Sequence, residues 1–406
     1  MSRIDKLIKK LCPDGVDWKT IQEICKNIVS GGTPLTSRTD YYNGTIHWLR
    51  TQEVDWKYIF DTEIKITEKG LKNSSAKLIP VNCVIVAMYG ATAAKVAINK
   101  IPLCTNQACC NLEIDETIAN YRYVYYWLSN NYNHLRSLGE GSQSNINGQK
   151  IKSYGIPIPP LEVQEEIVKT LDLFTELEAE LEAELEARKT QYTHYRDSLL
   201  SFEDKDVEWK MMGELGEFTR GKRFVKTDIV TEGVPCIHYG EMYTHYKIWA
   251  KEAKSFLEPE LAAKLRVAKK GDVIIVAAGE TIEDIGQGVA WHGDEDVVIH
   301  DACFSFSHNM HPNYVSHFTQ TDLFHSQIKR YISSGKISSI NASGLSKAKI
   351  PVPPMEEQIR IASILDKFHV LINDISVGIP AEIEARRKQY EYYRNRLLTF
   401  KEKVHE

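Results

Sequence analysis

Few groupings in this 406-residue sequence have the residue types that chemistry needs, and each lacks the neighbours that would complete it. The only adjacent prolines stand in "IPPL" (residues 158–161) and "VPPM" (residues 352–355). A loop that grips an extruded adenine for methyl transfer needs an amide or acid before such a pair and an aromatic ring after it. Neither pair has them. Asp14, Asp17 and Lys19 in "PDGVDWK" have the types of a metal-dependent nuclease, yet the matching "DKDVEWK" (residues 204–210) reads as linker. No Walker-type phosphate loop occurs, which excludes a nucleotide-driven motor. The eight cysteines form no CxxC pair, and neither "CTNQACC" nor "WHGDEDVVIHDACF" spaces His and Cys as zinc ligands. No catalytic residue and no metal are expected, and the cysteines read as buried thiols of a cytoplasmic protein.

The elements that would position a binding site belong to a soluble chain of two or three domains. Hydrophobic residues make up 43% and charged residues 26%. No apolar run is long enough for a membrane span, and "MSRIDKLIKKLCPDG" lacks the apolar core of a signal peptide. The formal net charge of -5 hides a segregation. Residues 156–203 hold four Lys/Arg against twelve Asp/Glu, whereas residues 1–155 hold nineteen against fourteen. Overall acidity therefore does not exclude DNA, whose binding needs a local basic surface.

The strongest signal is an internal duplication. "IPIPPLEVQEEIVKTLDLF" (residues 156–174) matches "IPVPPMEEQIRIASILDKF" (residues 350–368), and "ELEARKTQYTHYRDSLLSF" (residues 184–202) matches "EIEARRKQYEYYRNRLLTF" (residues 382–400). The second copy is four residues longer, near Gly378 and Pro380. Weaker matches keep the same order: "VDWKTIQEI" with "VEWKMMGEL", "VNCVIVAMYG" with "KGDVIIVAAG", "NQACC" with "HDACF", and "SNIN" with "SSIN". The sequence thus reads globule (1–155), helical region (156–203), globule (204–349), helical region (350–406). Residues 5–18 also resemble residues 197–209, so the amino-terminal segment should complete the second repeat. The termini are expected to lie together under pseudo-twofold symmetry.

The helical regions begin after an extended "IPxPP", with Pro160 and Pro354 expected in the first helical turn. In the first copy, Leu177, Leu181 and Leu185 continue an apolar seam that runs from Ile167 to Phe202, about 3.5 residues per step. Its centre is a perfect tetrad, "ELEAELEAELEA", with glutamate at alternate positions. Tyr192, Tyr195 and their counterparts Tyr390 and Tyr393 extend the seam, and the two copies are expected to pair antiparallel. Gly378 and Pro380 should break the second copy into two helices. The globules read as mixed α+β, with strands at "TIHWLR", "CVIVAMYG", "KVAIN", "DVIIVAAG" and "GVAW". Residues 120–138 and 311–333 read as amphipathic helices whose aromatic residues serve the core.

The duplicated "IPxPPxExQ" and "EARxxQYxYYRxxLLxF" blocks, with "SGGTP" (residues 30–34) and "NQAC" (residues 106–109), resemble the specificity subunits of type I restriction–modification systems over essentially the whole chain. The tetrad resembles the short tandem repeats of one subgroup's central helix. The resemblance implies two α+β target recognition domains held apart by an antiparallel coiled coil and a non-catalytic role in DNA recognition. It also implies two modification subunits docked on the helices, supplying S-adenosylmethionine, with restriction subunits as further partners. The second globule departs from the "GGTP" form, showing "TRGKRF" (residues 219–224), so the two domains should read different half-sites.

Within each globule, phosphate anchoring falls to Lys and Arg and base reading to polar loop side chains. In the first these are Thr33, Ser37, Arg38, Tyr89, Thr92, Lys95, Ser142, Gln143 and Asn145. In the second they are Arg220, Lys222, Arg223, Glu280, Thr281, Lys336 and Ser339. The rival readings are a self-contained DNA methyltransferase or nuclease, which the missing motifs disfavour, and a coiled-coil scaffold, which would not need two divergent globules.

Overall fold

A computed structural model describes residues 3–140, 145–202, 206–335 and 337–404. The chain divides into two compact units, one of Met1–Glu180 with Glu384–Glu406, the other of Leu181–Ile383.

In the first unit a five-stranded sheet runs in the order Cys25–Ser30, Cys109–Ile114, Val84–Ala87, Val96–Asn99, Tyr58–Ile59. Its central strands Val84–Ala87 and Val96–Asn99 are buried at every position, which explains their apolar runs, and the one polar residue, Asn99, is hydrogen-bonded through its side chain. A four-stranded sheet follows the order Ile64–Ile66, Tyr42–Leu49, Leu103–Thr105, Leu78–Ile79, with the middle two strands parallel. The second unit repeats the first sheet strand for strand: Gly216–Arg220, Cys303–His308, Val273–Val276, Gly288–Trp291, Trp249–Ala250. Its other sheet again contains a parallel middle pair, Val234–Ile237 with Val297–Ile299. The duplication therefore reaches well beyond the segments whose sequences match.

Three expectations need correction. "VEWK" is not linker: Trp209–Met211 pairs antiparallel with Lys349–Pro351, as Asp17–Thr20 pairs with Gly155–Ile158. Residues 203–205 lie outside the described residues. The aromatic helix at 120–138 is two, Tyr121–Asn130 and Tyr132–Ser137, and that at 311–333 is likewise split into Pro312–Thr319 and Asp322–Ile328. Asn131 breaks the first, leaving helical geometry (φ -96, ψ 18) while its side-chain amide donates to the Trp127 carbonyl at 3.0 Å. Tyr123, Tyr126 and Trp127 are buried, so these aromatics do serve the core. The helix-initiating prolines stand just outside the first turn; Pro354 is the cap residue itself.

The central helix is continuous over Leu161–Ser201, 41 residues, or about 60 Å at 1.5 Å per residue. The second copy forms Met355–Asn373 and Ile379–Leu397, broken where Gly378 and Pro380 predict. In the first unit the pairing is antiparallel: Glu178 meets Arg387 at 2.6 Å, and Phe174 stacks on Tyr393 with Tyr390 beside it. In the second unit Tyr195 stacks on Phe368, the counterpart of the Phe174 and Tyr393 pair, with centroids 5.5 and 5.4 Å apart. Tyr192 is buried, its hydroxyl 3.1 Å from His317 Nδ1. Leu177, Leu181 and Leu185 are half-buried, while Ala179, Ala183 and Ala187 are exposed. The leucine face is the seam.

The ends of the chain meet inside the first unit. Val16 N–H donates to the Lys401 carbonyl at 2.9 Å, Lys403 N–H donates to the Val16 carbonyl at 3.0 Å, and Arg396 reaches Asp5 at 2.8 Å. Leu397 and Leu398 are buried in the same core as Ile4.

Each unit anchors its aromatic helix to its long helix through an equivalent aspartate. Asp172 accepts from Arg122 and the Tyr126 hydroxyl, both at 2.6 Å. Asp366 accepts from His317 at 2.8 Å and Asn313 at 2.8 Å. The second unit is histidine-rich at such positions. Burial depresses His317, and it pushes His308 and His369 down to about 4. Depressed histidines stabilise the fold fully above their ordinary value near 6.5 and lose that contribution as pH falls toward the folded value. At pH 5, His308 and His369 should each cost on the order of 2 kcal/mol. Hydrogen exchange between pH 7 and pH 5 should therefore show the second unit losing protection ahead of the first. Equal loss in both units would contradict this.

Candidate nucleic-acid interface

The parallel strand pair of each globule ends at a shared edge, and backbone hydrogen bonds there fix which residues correspond. Asn106 N–H donates to the Leu49 carbonyl (2.9 Å) and Gly32 N–H to the Thr105 carbonyl (2.8 Å). In the second globule His300 N–H donates to Ile237 and Lys222 N–H to Ile299, both at 3.3 Å. Arg50 thus corresponds to His238, Asn106 to His300, and "SGGTP" to "RGKRF". The loop before each edge is pressed against it through one glycine. A Cβ on Gly31 would sit 2.0 Å from the Thr105 carbonyl oxygen, and one on Gly221 would sit 2.2 Å from that of His300. Only a residue without a side chain allows this approach.

In the second globule this edge opens into a cavity of about 770 Å³ lined by Arg220, Arg223, Phe224, Lys226, His238, Tyr239, Glu280, His300 and Asp301, among others. His300 Nε2 is 3.0 Å from the Phe224 carbonyl and its Nδ1 accepts from Ala302 N–H at 3.1 Å. Nδ1 also lies 3.0 Å from an Asp301 carboxylate oxygen, and burial depresses the pKa of the ring against the opposing pull of that carboxylate. His238 Nδ1 accepts from Gly240 N–H at 3.3 Å. Its ring lies 4.6 Å from Tyr239 and 4.8 Å from His300, and burial together with His300 lowers its pKa. Arg220 donates to the Asp301 carbonyl (2.8 Å) and Lys222 to the Lys264 carbonyl (2.7 Å), which leaves both charges unneutralised by these bonds. Aromatic walls with cations at the rim can stack a base and hold a phosphate.

The sequence-predicted residues gather unevenly around these edges. Arg220, Arg223 and Glu280 line one cavity. Ser339 pairs with Ala278, and Asn145 accepts from Gly90 N–H at 3.3 Å, so in both globules the late loop joins the loop containing Tyr89 or its counterpart Ala278. Tyr89 and Ser37 are exposed. Thr33 donates to Gln107, Thr92 to the Thr51 carbonyl (2.9 Å), and Thr281 to Asp284 (2.5 Å). Two cations are already paired: Lys95 with Asp55 at 2.6 Å and Arg38 with Asp40 at 2.9 Å. Arg38 and Lys69 hold the Asp40 carboxyl well below the usual range. Ser142, Gln143 and Lys336 lie outside the described residues.

Selection by glycine-flanked loops overlooks Arg50, Gln107, His238, Tyr239, His300 and Asp301. A signal for Gln107, His300 and Asp301 existed. In "NQACC" and "HDACF" the alanine and cysteine repeat while the two preceding positions diverge.

The model of the type I restriction modification DNA specificity domain matches this chain twice, over residues 13–187 and 204–385. The chain belongs to that family: it is a DNA-recognition subunit of type I restriction–modification, and catalysis is not its part. It is 33% identical over 306 residues to the EcoR124I/EcoR124II specificity subunit of Escherichia coli, spanning 70% of this chain and 72% of that one. It is 34% identical over 302 residues to the putative specificity subunit S.HindORF215P of Haemophilus influenzae, spanning 69% and 72%. Among solved structures, a chain from a type I R-M system assembly shares the fold at TM-score 0.65 and 16% identity, covering 95% of this chain and 98% of that one. The HsdS subunit from Thermoanaerobacter tengcongensis does so at 0.54 and 17%, covering 96% and 97%. Among the described residues no helix is long and apolar enough to cross a membrane.

Proposed function

We propose that this chain reads an asymmetric two-part DNA target, one half-site per globule, and that its helices set the spacing and receive two modification subunits. The observation that carries this reading is a pair of globules with the same strand order and different side chains at the shared edge. A duplicated reader suits paired half-sites, as dimeric readers do. The modification subunits would bring S-adenosylmethionine and restriction subunits would join the complex. Equivalent clefts beside Tyr58 and Thr175 in the first unit, and beside Trp249 and His369 in the second, offer each modification subunit a similar seat. Eight free thiols support a reducing, cytoplasmic setting.

Exchanging residues 20–155 for the corresponding domain of a relative should change one half-site only, as read by long-read methylation mapping of a host carrying the modification partner. Changes in both half-sites would refute the reading. The purified chain alone should bind DNA weakly at physiological salt, because few phosphates can be neutralised without the partners. Gel-shift titration from 50 to 200 mM salt measures this, and tight target-specific binding would contradict it.

A further inference from the structure

The two copies within one chain separate framework from reader. At the edge of each globule a buried glutamate three residues downstream holds one backbone N–H: Glu53 accepts from Arg50 N–H at 3.1 Å, and Glu241 accepts from His238 N–H at 2.9 Å. Each glutamate is satisfied a second time, Glu53 by Glu63 N–H at 3.0 Å and Glu241 by the Ser255 hydroxyl. The holding residue is the same in both copies and the held residue is different. Identity at the holder with divergence at the held position is the pattern of a scaffold that presents an interchangeable side chain.

Both held side chains offer hydrogen-bond donors. Arg50 is ion-paired with Glu63 through Nη2, as Arg38 and Lys95 are with their own carboxylates, while its Nε is buried without a hydrogen-bond partner, 3.6 Å from Glu53. His238 uses Nδ1 on Gly240, so its proton sits on Nε2, for which no partner occurs among the described residues. It lines the cavity whose rim carries Arg220 and Arg223.

We propose that Arg50 and His238 are the corresponding base-reading positions of the two domains, each donating to the acceptor edge of a purine in its own half-site. Arg50 exchanges its exposed partner Glu63 for guanine and takes O6 and N7 with its forked donor; His238, with one donor, takes a purine N7. The inference rests on the one-domain, one-half-site reading above.

The test uses the full chain co-expressed with its modification partner, and methylation mapping as the readout. Arg50→Gln and Arg50→Lys should each relax one base position of the first half-site by roughly tenfold to a hundredfold and leave the second unchanged. Arg50→Lys keeps the charge, so relaxation in that variant reports lost base reading rather than lost phosphate attraction. His238→Ala and His238→Asn should relax one position of the second half-site alone. Thermal unfolding identifies misfolded variants, and the conservative member of each pair then decides. An unchanged motif in well-folded variants, or a uniform loss of affinity across sequences, overturns the proposal. If the domain exchange succeeds while these variants leave the motif intact, only the assignment of these two residues fails.

Discussion

Removing one four-residue unit, residues 181–184, should keep both half-site sequences and shorten the spacer between them by one base pair. The deletion moves Leu185 into the place of Leu181 and restores the same tetrad, so the half-buried leucine face stays on the seam. It shortens the continuous helix by about 6 Å and rotates one end about 40° relative to the other. A base pair rises about 3.4 Å and turns about 34–36°. Rise alone would allow one or two base pairs; rotation allows one. Half-site centres near one helical turn leave a spacer of roughly six or seven base pairs before the deletion. The result is a complete change of target, since sites with the old spacer are no longer methylated. Methylation mapping in the deletion strain reads it directly. Deleting one or two residues instead turns the leucines by about 100° or 200° and should abolish assembly. An unchanged spacer with full activity would reduce the tetrad to a solvated acidic helix.

The second large effect is steric. Gly31→Ala should abolish recognition of the first half-site, and Gly221→Ala that of the second. The new methyl on Gly31 would lie 2.0 Å from the Thr105 carbonyl oxygen and 2.4 Å from that of Asn106, which are backbone atoms at a strand end. On Gly221 it would meet the carbonyl oxygens of His300 at 2.2 Å and Ile299 at 2.4 Å. Neither neighbour can rotate aside, so the loop must lift away from the edge at a cost of about 3 kcal/mol. The loop after Gly31 carries Thr33, Ser37 and Arg38, and the loop after Gly221 carries Lys222 and Arg223. Binding of each variant complex to targets altered in one half-site checks this. Gly90→Ala is the contrast, since nothing lies within 4 Å of its Cβ and only its positive φ of 81° resists. Wild-type discrimination by Gly31→Ala would sink the idea.

The long-range plan of this chain was legible because duplication supplies its own alignment. Proline-marked helix starts, the break at Gly378 and Pro380, and the meeting of the termini follow from repeated blocks and helical period. Short irregular pieces were not legible. Trp209–Met211 is a strand only because Lys349–Pro351 arrives beside it, a pairing across the length of the globule that local composition does not encode. The reader positions were half legible. Loop chemistry pointed to Arg220, Arg223 and Glu280, which do share a cavity. It also pointed to Arg38 and Lys95, whose partners Asp40 and Asp55 become visible only in three dimensions. Arg50 and His238 follow apolar strands and carry no loop signature, so only backbone register reveals their correspondence.

The hydrogen bonds joining Val16 to Lys401 and Lys403 bear on the order in which the molecule can be made. The second unit, Leu181–Ile383, is one uninterrupted stretch and can finish folding as soon as it leaves the ribosome. The first unit was synthesised earlier but needs Tyr390, Leu397 and Leu398 for its core. At roughly 5–20 residues per second, it waits about 10–40 s for them. During that interval Ile4, Cys12, Val16 and Leu171 lack part of their cover, and the first-made reader is the last to mature. A chain cut short before residue 384 would therefore present a finished second globule beside an open apolar cleft, a substrate for chaperones and proteases rather than a reader of half the target.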